Sequence, residues 1–421
     1  MYSKTVLNNH LRVASHKMKE RDSIALGIWV GVGGRYEDDR VKGAVHFLEH
    51  ILFKGSQKYS CQQIKQEIEG VGGSLNAFTS EEHTCFYAKI PSQHLQRTFD
   101  VLADMVFHPL IRSEDVERER GVIVEEIKMY HDLPQYLVLD ILDQIMWPEH
   151  PLGKSLAGTV ETVSKMTAED LRAFHDQYYI PKNIAVAACG KIRHTELVKL
   201  IKSRVRESSQ KFAESFLQAP KASRSPQVKI YKKDTEQMHL ALGLPGIPYD
   251  HKDKYILNLL HVLLGGNMSS RLFDEVREKR GLAYSIGTSV KSLRDTGMFM
   301  VRAGVDNTKI VDAVSVILKE LQKVKKGAIV QKEFLHAKEF YLGQVLLGLE
   351  DTMDHMLWLG ESIMTRGYLR TIEEVVKEVK KIKLADVQRV AKEILNEKRL
   401  HLALVGPVSD EQEKSLQNLI V

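Results

Sequence analysis

Cysteine is scarce in this sequence. Among its 421 residues there are three cysteines, Cys61, Cys85 and Cys189, which are far apart and have no Cys-x-x-Cys neighbour. An odd, small and scattered set argues against a disulfide framework and against a cysteine-based zinc site. It is typical of proteins from a reducing compartment.

Long apolar runs and an excess of one charge are also missing. No stretch approaches the length of a membrane span, and the first ten residues lack both the apolar core of a signal peptide and the arginine-rich character of a transit peptide. The 60 cations and 55 anions leave a formal charge of +5, which is too small for a dedicated nucleic-acid surface. We therefore expect a cytoplasmic protein that binds neither membranes nor nucleic acids.

Strand and helix patterns alternate along a chain that is long enough for two or three domains. An apolar run at 24–30, rich in β-branched residues, predicts a buried strand. The first half is then predicted to contain a helix at 41–52, a strand at 72–80 with a partner at 84–90, and helices at 92–107 and 114–130. Ser92, just after Pro91, has the character of a helix cap.

A polar stretch rich in proline and serine interrupts this pattern between about 206 and 227. Such composition favours a linker. The sequence therefore predicts an N-terminal domain at 1–206, a linker at 207–227 and a C-terminal domain at 228–421.

The same order of elements restarts after the linker. A strand at 238–244 takes the place of the strand at 24–30, and a helix at 255–264 follows it. When the two halves are aligned without gaps, His50 falls on His261, whereas His46 and Glu49 fall on Leu257 and Leu260. The alignment indicates two related domains, of which only the first retains the polar set.

That polar set is His46-Phe-Leu-Glu-His50, inside the predicted helix at 41–52. Residues four apart lie on the same helix face, so His46 and His50 can present nitrogens to one ion. Two histidines, a carboxylate and a water make an open catalytic zinc site, in which an unligated glutamate can move protons. So short a pattern also occurs by chance in a chain with 17 histidines.

The third ligand must come from another segment. The predicted helix at 114–130 contains Glu117, Glu119, Glu125 and Glu126, and Glu119 and Glu126 are two turns apart on one face. An ordinary charged helix surface explains the same density of acids, so spacing alone does not select a ligand.

The stretch from Gly43 to Gly55, Gly-Ala-Val-His-Phe-Leu-Glu-His-Ile-Leu-Phe-Lys-Gly, resembles the signature of peptidase family M16. Its His-x-x-Glu-His order is the inverse of the thermolysin type. Further similarity lies at 73–79, 151–153, 179–183 and 265–284. Val45 departs from the alanine that many members have before the first histidine, and it touches no ligand.

This resemblance implies roles for named residues. Zinc is expected on His46, His50 and Glu126, one ion per chain, with Glu49 as the general base. Glu119-Arg-Gly-Val-Ile-Val-Glu-Glu126 matches the family context of the third ligand, and Glu119 is the acid expected to support the ligands. The family pattern also implies that Arg277 and Tyr284 stabilise the oxyanion, and that Asn76 and Ala77 belong to an edge strand that takes substrate as an added strand.

The predicted fold is α+β, with two related domains that each contain a mostly antiparallel sheet flanked by helices, a duplicated half-shell of the LuxS and mitochondrial processing peptidase type. The predicted function is a zinc-dependent endopeptidase that cleaves unfolded peptides in an enclosed chamber. By resemblance, the chain belongs to the short bacterial branch and acts as a homodimer, with a heterodimer as the alternative. Two other functions remain open, which are a processing protease with one dedicated substrate and a non-catalytic partner subunit.

Overall fold

A computed structural model describes residues 2–205, 216–221 and 225–420. Its strands are β1 Tyr2–Val6, β2 Arg12–Lys17, β3 Ser23–Val30, β4 Ser74–Thr79, β5 Thr84–Pro91, β6 Ile184–Gly190, β7 Gln227–Lys232, β8 Gln237–Pro245, β9 Ala283–Ser292, β10 Gly297–Asp306 and β11 His401–Gly406. Its α-helices are α1 Ala44–Leu52, α2 Cys61–Glu69, α3 Leu95–Phe107, α4 Ser113–Asp132, α5 Pro134–Met146, α6 Val160–Lys165, α7 Ala168–Tyr178, α8 His194–Arg204, α9 Lys254–Gly265, α10 Ile310–Lys325, α11 Gln331–Gly348, α12 Thr352–Thr365, α13 Ile372–Lys381, α14 Leu384–Ile394 and α15 Asp410–Ile420. None of the described helices is both long enough and apolar enough to cross a membrane.

The chain forms two compact units, each assembled from separate segments. The first unit comprises Met1–Ile127, Ser155–Leu217 and Leu346–Thr371, and the second comprises Lys128–Lys154, Gln218–Val345 and Ile372–Val421. The predicted domain boundaries at 206 and 228 follow the sequence repeat and stay a prediction. Residues 207–215 and 222–224 of the predicted linker lie outside the described residues.

The sheet of the first unit has six strands in the order β1-β2-β6-β3-β5-β4. The β2–β6 pair is parallel, and the other neighbours are antiparallel. Val30 pairs with Thr84 in the β3–β5 register, and Thr79 pairs with Thr84 in the β4–β5 register. Strand β4 is an edge strand, and its last residue, Thr79, lies beside Thr84, the first residue of β5.

The second unit repeats this arrangement. Its five strands are ordered β7-β11-β8-β10-β9, with a parallel β7–β11 pair and antiparallel pairing elsewhere. Strand by strand, β7, β11, β8, β10 and β9 correspond to β2, β6, β3, β5 and β4, and β1 is an addition. The predicted fold class, with two related and mostly antiparallel domains, is confirmed.

Helices cover both faces of each sheet, and one covering helix comes from the other half of the sequence. In the first unit α12 packs on β3 and β6, where Met356, Leu359 and Ile363 meet a face rich in alanine around Trp29. In the second unit α5 packs on β8 and β11. Strands β6 and β11 are consequently buried along their whole length, which explains why their sequences read as continuous apolar runs.

Two predicted helix starts differ from the structure. The helix predicted from 41 begins at Ala44, because Gly43 has a left-handed φ of 98° and a Cβ there would meet the Ala157 carbonyl oxygen at 2.7 Å. A 3₁₀ turn over Ser92–His94 precedes α3, and the cap position is His94 rather than Ser92. Single-sequence patterns locate helix ends less well than helix bodies because caps depend on backbone geometry.

Candidate active site

Helix α1 presents three polar residues on one side. Its apolar residues are buried in the core of the first unit, which leaves His46, Glu49 and His50 partly accessible. The spacing of four between the histidines puts their rings next to each other, with centroids 4.8 Å apart. The polar face that the sequence predicts is thus the side of α1 that is not buried in the core.

A buried ion pair holds the start of α1. The Glu37 carboxylate accepts the backbone N–H of Gly43 at 3.1 Å and that of Val45 at 2.7 Å, and Lys42 Nζ lies 3.1 Å from Glu37 Oε2. Burial raises the pKa of Glu37, while Lys42 and the two N–H groups oppose that rise. A carboxylate at a helix N-terminus satisfies donors that have no partner within the helix. Sequence reasoning missed Glu37, because it lies outside the usual capping spacing.

Glu126 on α4 completes a group of three possible metal ligands. Its Oε2 atom lies 3.7 Å from His46 Nε2 and 3.4 Å from His50 Nε2, and ligand atoms of the three residues lie within 4.8 Å of one another. Ligands about 2.1 Å from a tetrahedral zinc ion lie about 3.4 Å apart. The distances from Glu126 to the two histidines therefore fit a zinc ion.

Glu119, on the same face of α4 as Glu126, lies beside His50. Its Oε1 lies 2.8 Å from His50 Nδ1, and its Oε2 lies 2.5 Å from Lys54 Nζ. Although burial opposes it, these partners lower the pKa of Glu119. A hydrogen bond from Nδ1 to a carboxylate leaves the Nε2 lone pair for a metal ion. The role of Glu119 as the supporting acid stays a prediction.

The two histidines have opposite shifts of pKa. Burial and the neighbouring His50 lower the pKa of His46 to about 4. Burial also acts on His50, but its contacts with Glu119 and Glu126 outweigh it and raise the pKa of His50 to about 9. His46 is thus neutral at pH 7, whereas His50 must release a proton when a metal binds, as is general for metal ligands.

Glu49 lies outside the group of three and has its own partner. Its Oε2 accepts a hydrogen bond of 2.6 Å from Thr79 Oγ1 at the end of β4. Burial raises the pKa of Glu49, while Thr79 and His50 oppose that rise. A carboxylate with a raised pKa is better suited to accept and return a proton near neutral pH. Thr79 belongs to the stretch at 73–79 that resembles peptidase family M16. Its contact with Glu49 was not predicted.

The predicted substrate-binding residues lie on β4. Asn76 and Ala77 pair with Tyr87 and Phe86 of β5, and Asn76 Oδ1 accepts the N–H of Ala77 at 2.8 Å. Among the described strands, β4 has a neighbour on one side only. An open strand edge is the feature that strand addition requires.

Arg277 and Tyr284 belong to the second unit. Arg277 lies in a π-helical turn, with its guanidinium carbon 4.7 Å from the centre of the Phe273 ring and 5.7 Å from that of Tyr284. Tyr284 is 75% exposed, so its hydroxyl is accessible on the surface of the unit. Their predicted role at a substrate carbonyl stays a prediction.

The repeated position in the second unit has different chemistry. His261, the counterpart of His50, has its Nδ1 2.7 Å from Thr288 Oγ1 on β9. Leu257 and Leu260, at the positions of His46 and Glu49, are buried in the core. Within the described part of the chain, His46, His50 and Glu126 form the one group that could hold a metal ion.

Two family models match consecutive parts of the chain. The insulinase model, peptidase family M16, matches residues 12–160, and the peptidase M16 inactive domain model matches residues 165–341. An uncharacterized zinc protease of Streptomyces coelicolor is 36% identical over 99% of this chain and 92% of its own length. The uncharacterized zinc protease YmxG of Bacillus subtilis is 34% identical over 97% of this chain and 98% of its own.

Solved structures share the fold. A protease from Helicobacter pylori has a TM-score of 0.91 at 24% identity and covers 96% of this chain and 99% of its own. A chain of Complex III2 from Candida albicans has a TM-score of 0.85 at 17% identity, with 99% of both chains covered. The two family models and the full-length relatives show that this chain belongs to peptidase family M16.

Proposed function

We propose that the protein is a zinc-dependent endopeptidase that cleaves peptides and short unfolded polypeptides. The observation that carries the proposal is the convergence of His46, His50 and Glu126, with Glu49 beside them and outside the ligand group. The names of the full-length relatives, zinc proteases, agree with it. Loss of one of these four residues would be expected of a non-catalytic subunit, and all four are present.

Each residue has a distinct part in the proposed mechanism. A zinc ion held by the three ligands would supply Lewis acidity. Glu49 takes a proton from the attacking water and passes it to the departing amine, and the Thr79 hydrogen bond holds its carboxylate in place. Glu119 keeps His50 in the tautomer whose Nε2 faces the ligand group.

The open edge of β4 supports an extended substrate. A peptide that adds to an edge strand must offer unpaired backbone groups over several residues, which a folded protein does not. The proposal therefore includes unfolded peptides as the substrate class and Asn76 and Ala77 as residues that contact them. The enclosed chamber, and the oxyanion role of Arg277 and Tyr284, are further parts of the proposal.

Three variants of neighbouring acids test this function. Glu49→Gln should keep zinc and lower the turnover of a fluorogenic peptide by about two to four orders of magnitude, the range for loss of a general base. Glu126→Gln should lose zinc itself. Glu125→Gln, an exposed neighbour on α4, is the matched control and should keep both.

Zinc content by atomic emission and initial rates on one peptide suffice for the comparison. Full activity of wild type after verified removal of metal would end the proposal. Equal loss of zinc in Glu49→Gln and Glu126→Gln would contradict the separate roles of base and ligand.

A further inference from the structure

A leucine-lined pocket in the second unit is separate from the proposed active site. Its volume is about 270 Å³. The walls come from α10, the end of β8, the segment between α14 and β11, and α15. Its apolar lining consists of Leu244, Leu318, Leu321, Leu395, Leu400 and Leu419.

A row of polar side chains on α10 borders this pocket. Ser315, Lys319 and Gln322 line it, and their spacing of four and three puts them on one side of the helix. Lys319 is exposed. In the part of the chain that the structure describes, Lys319 makes no hydrogen bond or ion pair, so its charge is not balanced by a neighbour.

The acid at the same border does not neutralise Lys319. Glu397 lines the pocket, but its carboxylate is paired with Lys325, and this contact lowers the pKa of Glu397. The pocket thus combines an apolar floor with one uncompensated positive charge. Pockets that combine an apolar lining with a few polar groups are those that bind and orient small ligands.

We propose that this pocket binds an aliphatic carboxylate of medium chain length, with Lys319 at the carboxylate and the leucines around the chain. A neutral apolar ligand would leave the charge of Lys319 unused, and a phosphorylated ligand would meet a single cation. The lining contains no aromatic side chain on which a base could stack. The volume lies just below the usual range for drug-sized ligands, which restricts the occupant to a chain of medium length.

Calorimetric titration of the full chain with decanoate tests the proposal. Lys319→Gln should weaken decanoate binding roughly ten- to a hundredfold, because hydrogen bonds to charged groups contribute about 1.5–3 kcal/mol, and should leave decanol binding unchanged. Lys332→Gln removes another exposed lysine, on α11 and outside the pocket, and should bind decanoate like wild type. Ser315→Phe, which fills the border, should abolish binding of both compounds without a change in melting temperature.

Several results would overturn the proposal. These are no saturable decanoate binding to wild type, equal weakening by Lys319→Gln and Lys332→Gln, and decanol binding as tight as decanoate. Tighter binding of acetyl-leucyl-leucine than of decanoate would identify a peptide carboxyl terminus instead.

Discussion

Thr79 contacts the side chain on which proton transfer would depend. It donates the 2.6 Å hydrogen bond to Glu49 from the end of an edge strand. Thr79→Val keeps the shape of the side chain and removes the donor, so turnover should fall about tenfold to a hundredfold, as expected for a hydrogen bond to a charged group. Zinc content should not change, because Thr79 is not in the ligand group.

Thr79→Ser is the matched control, since it restores the hydroxyl, and it should recover most of the turnover. Separate values of kcat and KM, measured on one fluorogenic peptide, distinguish an effect on chemistry from one on binding. If Thr79→Ser, which keeps the hydroxyl, were as slow as Thr79→Val, the hydrogen bond to Glu49 would not account for the loss of turnover.

The residues of the site differ in how far the sequence predicts them. His46 and His50 follow from helical spacing, because residues four apart share a face whatever the rest of the fold does. Glu126 needed the family resemblance, since the helix contains four glutamates between 117 and 126 and spacing alone does not select a ligand among them. Thr79 and Glu37 were not predicted, because contacts between separate segments leave no periodic signal in the chain.

Helix α1 depends on a buried pair at its first turn. Glu37→Gln would leave Lys42 buried without its carboxylate, and breaking a buried pair typically destabilises by about 3–5 kcal/mol. We therefore expect a large drop in the free energy of unfolding, measured by urea denaturation. Weaker zinc binding should accompany it, because the same turn precedes His46.

Two further variants separate the pair from a general charge effect. Asp38→Asn removes an exposed acid next to Glu37 and should change stability little. The double variant Glu37→Gln/Lys42→Met removes both partners and should recover part of the lost stability. If the double variant were less stable than Glu37→Gln, the Lys42 contact with the Gly34 carbonyl oxygen would matter more than the ion pair.

At the scale of elements, the pattern of apolar residues predicts helices and strands in both units. The predicted strand at 24–30 is β3 and the predicted helix at 255–264 is α9, with shifts of one residue at most at each end. The repeat is confirmed by the matching strand order of the two sheets. The covering helices α5 and α12 were not assigned to their sheets, because an apolar helix face does not specify which sheet it covers.

At the scale of the whole molecule, the proposed catalytic groups are divided between the two units. The ligands and Glu49 belong to the first unit, whereas Arg277 and Tyr284 belong to the second. If the chain acts as a homodimer with shared sites, Glu49→Gln and Tyr284→Phe chains, each nearly inactive alone, should regain activity when mixed. One of the two sites in a mixed dimer would then have both intact groups.

The mixing result is informative only if subunits exchange. A tagged chain that recovers its untagged partner after mixing supplies that control. Exchange without any recovery of peptidase activity would mean that each chain completes its own site, or that the partner is a different protein.

The exchange of covering helices has a consequence for how this gene can be rearranged. A fragment that ends before residue 206 would lack α12, so the face around Trp29 would be exposed to water, and it would carry α5 without the sheet that α5 covers. Neither half of the gene should therefore encode a domain that folds when recombination transfers it alone. Two fragments made in the same cell should instead bind each other and co-purify, and a soluble, monomeric N-terminal fragment would contradict this interdependence.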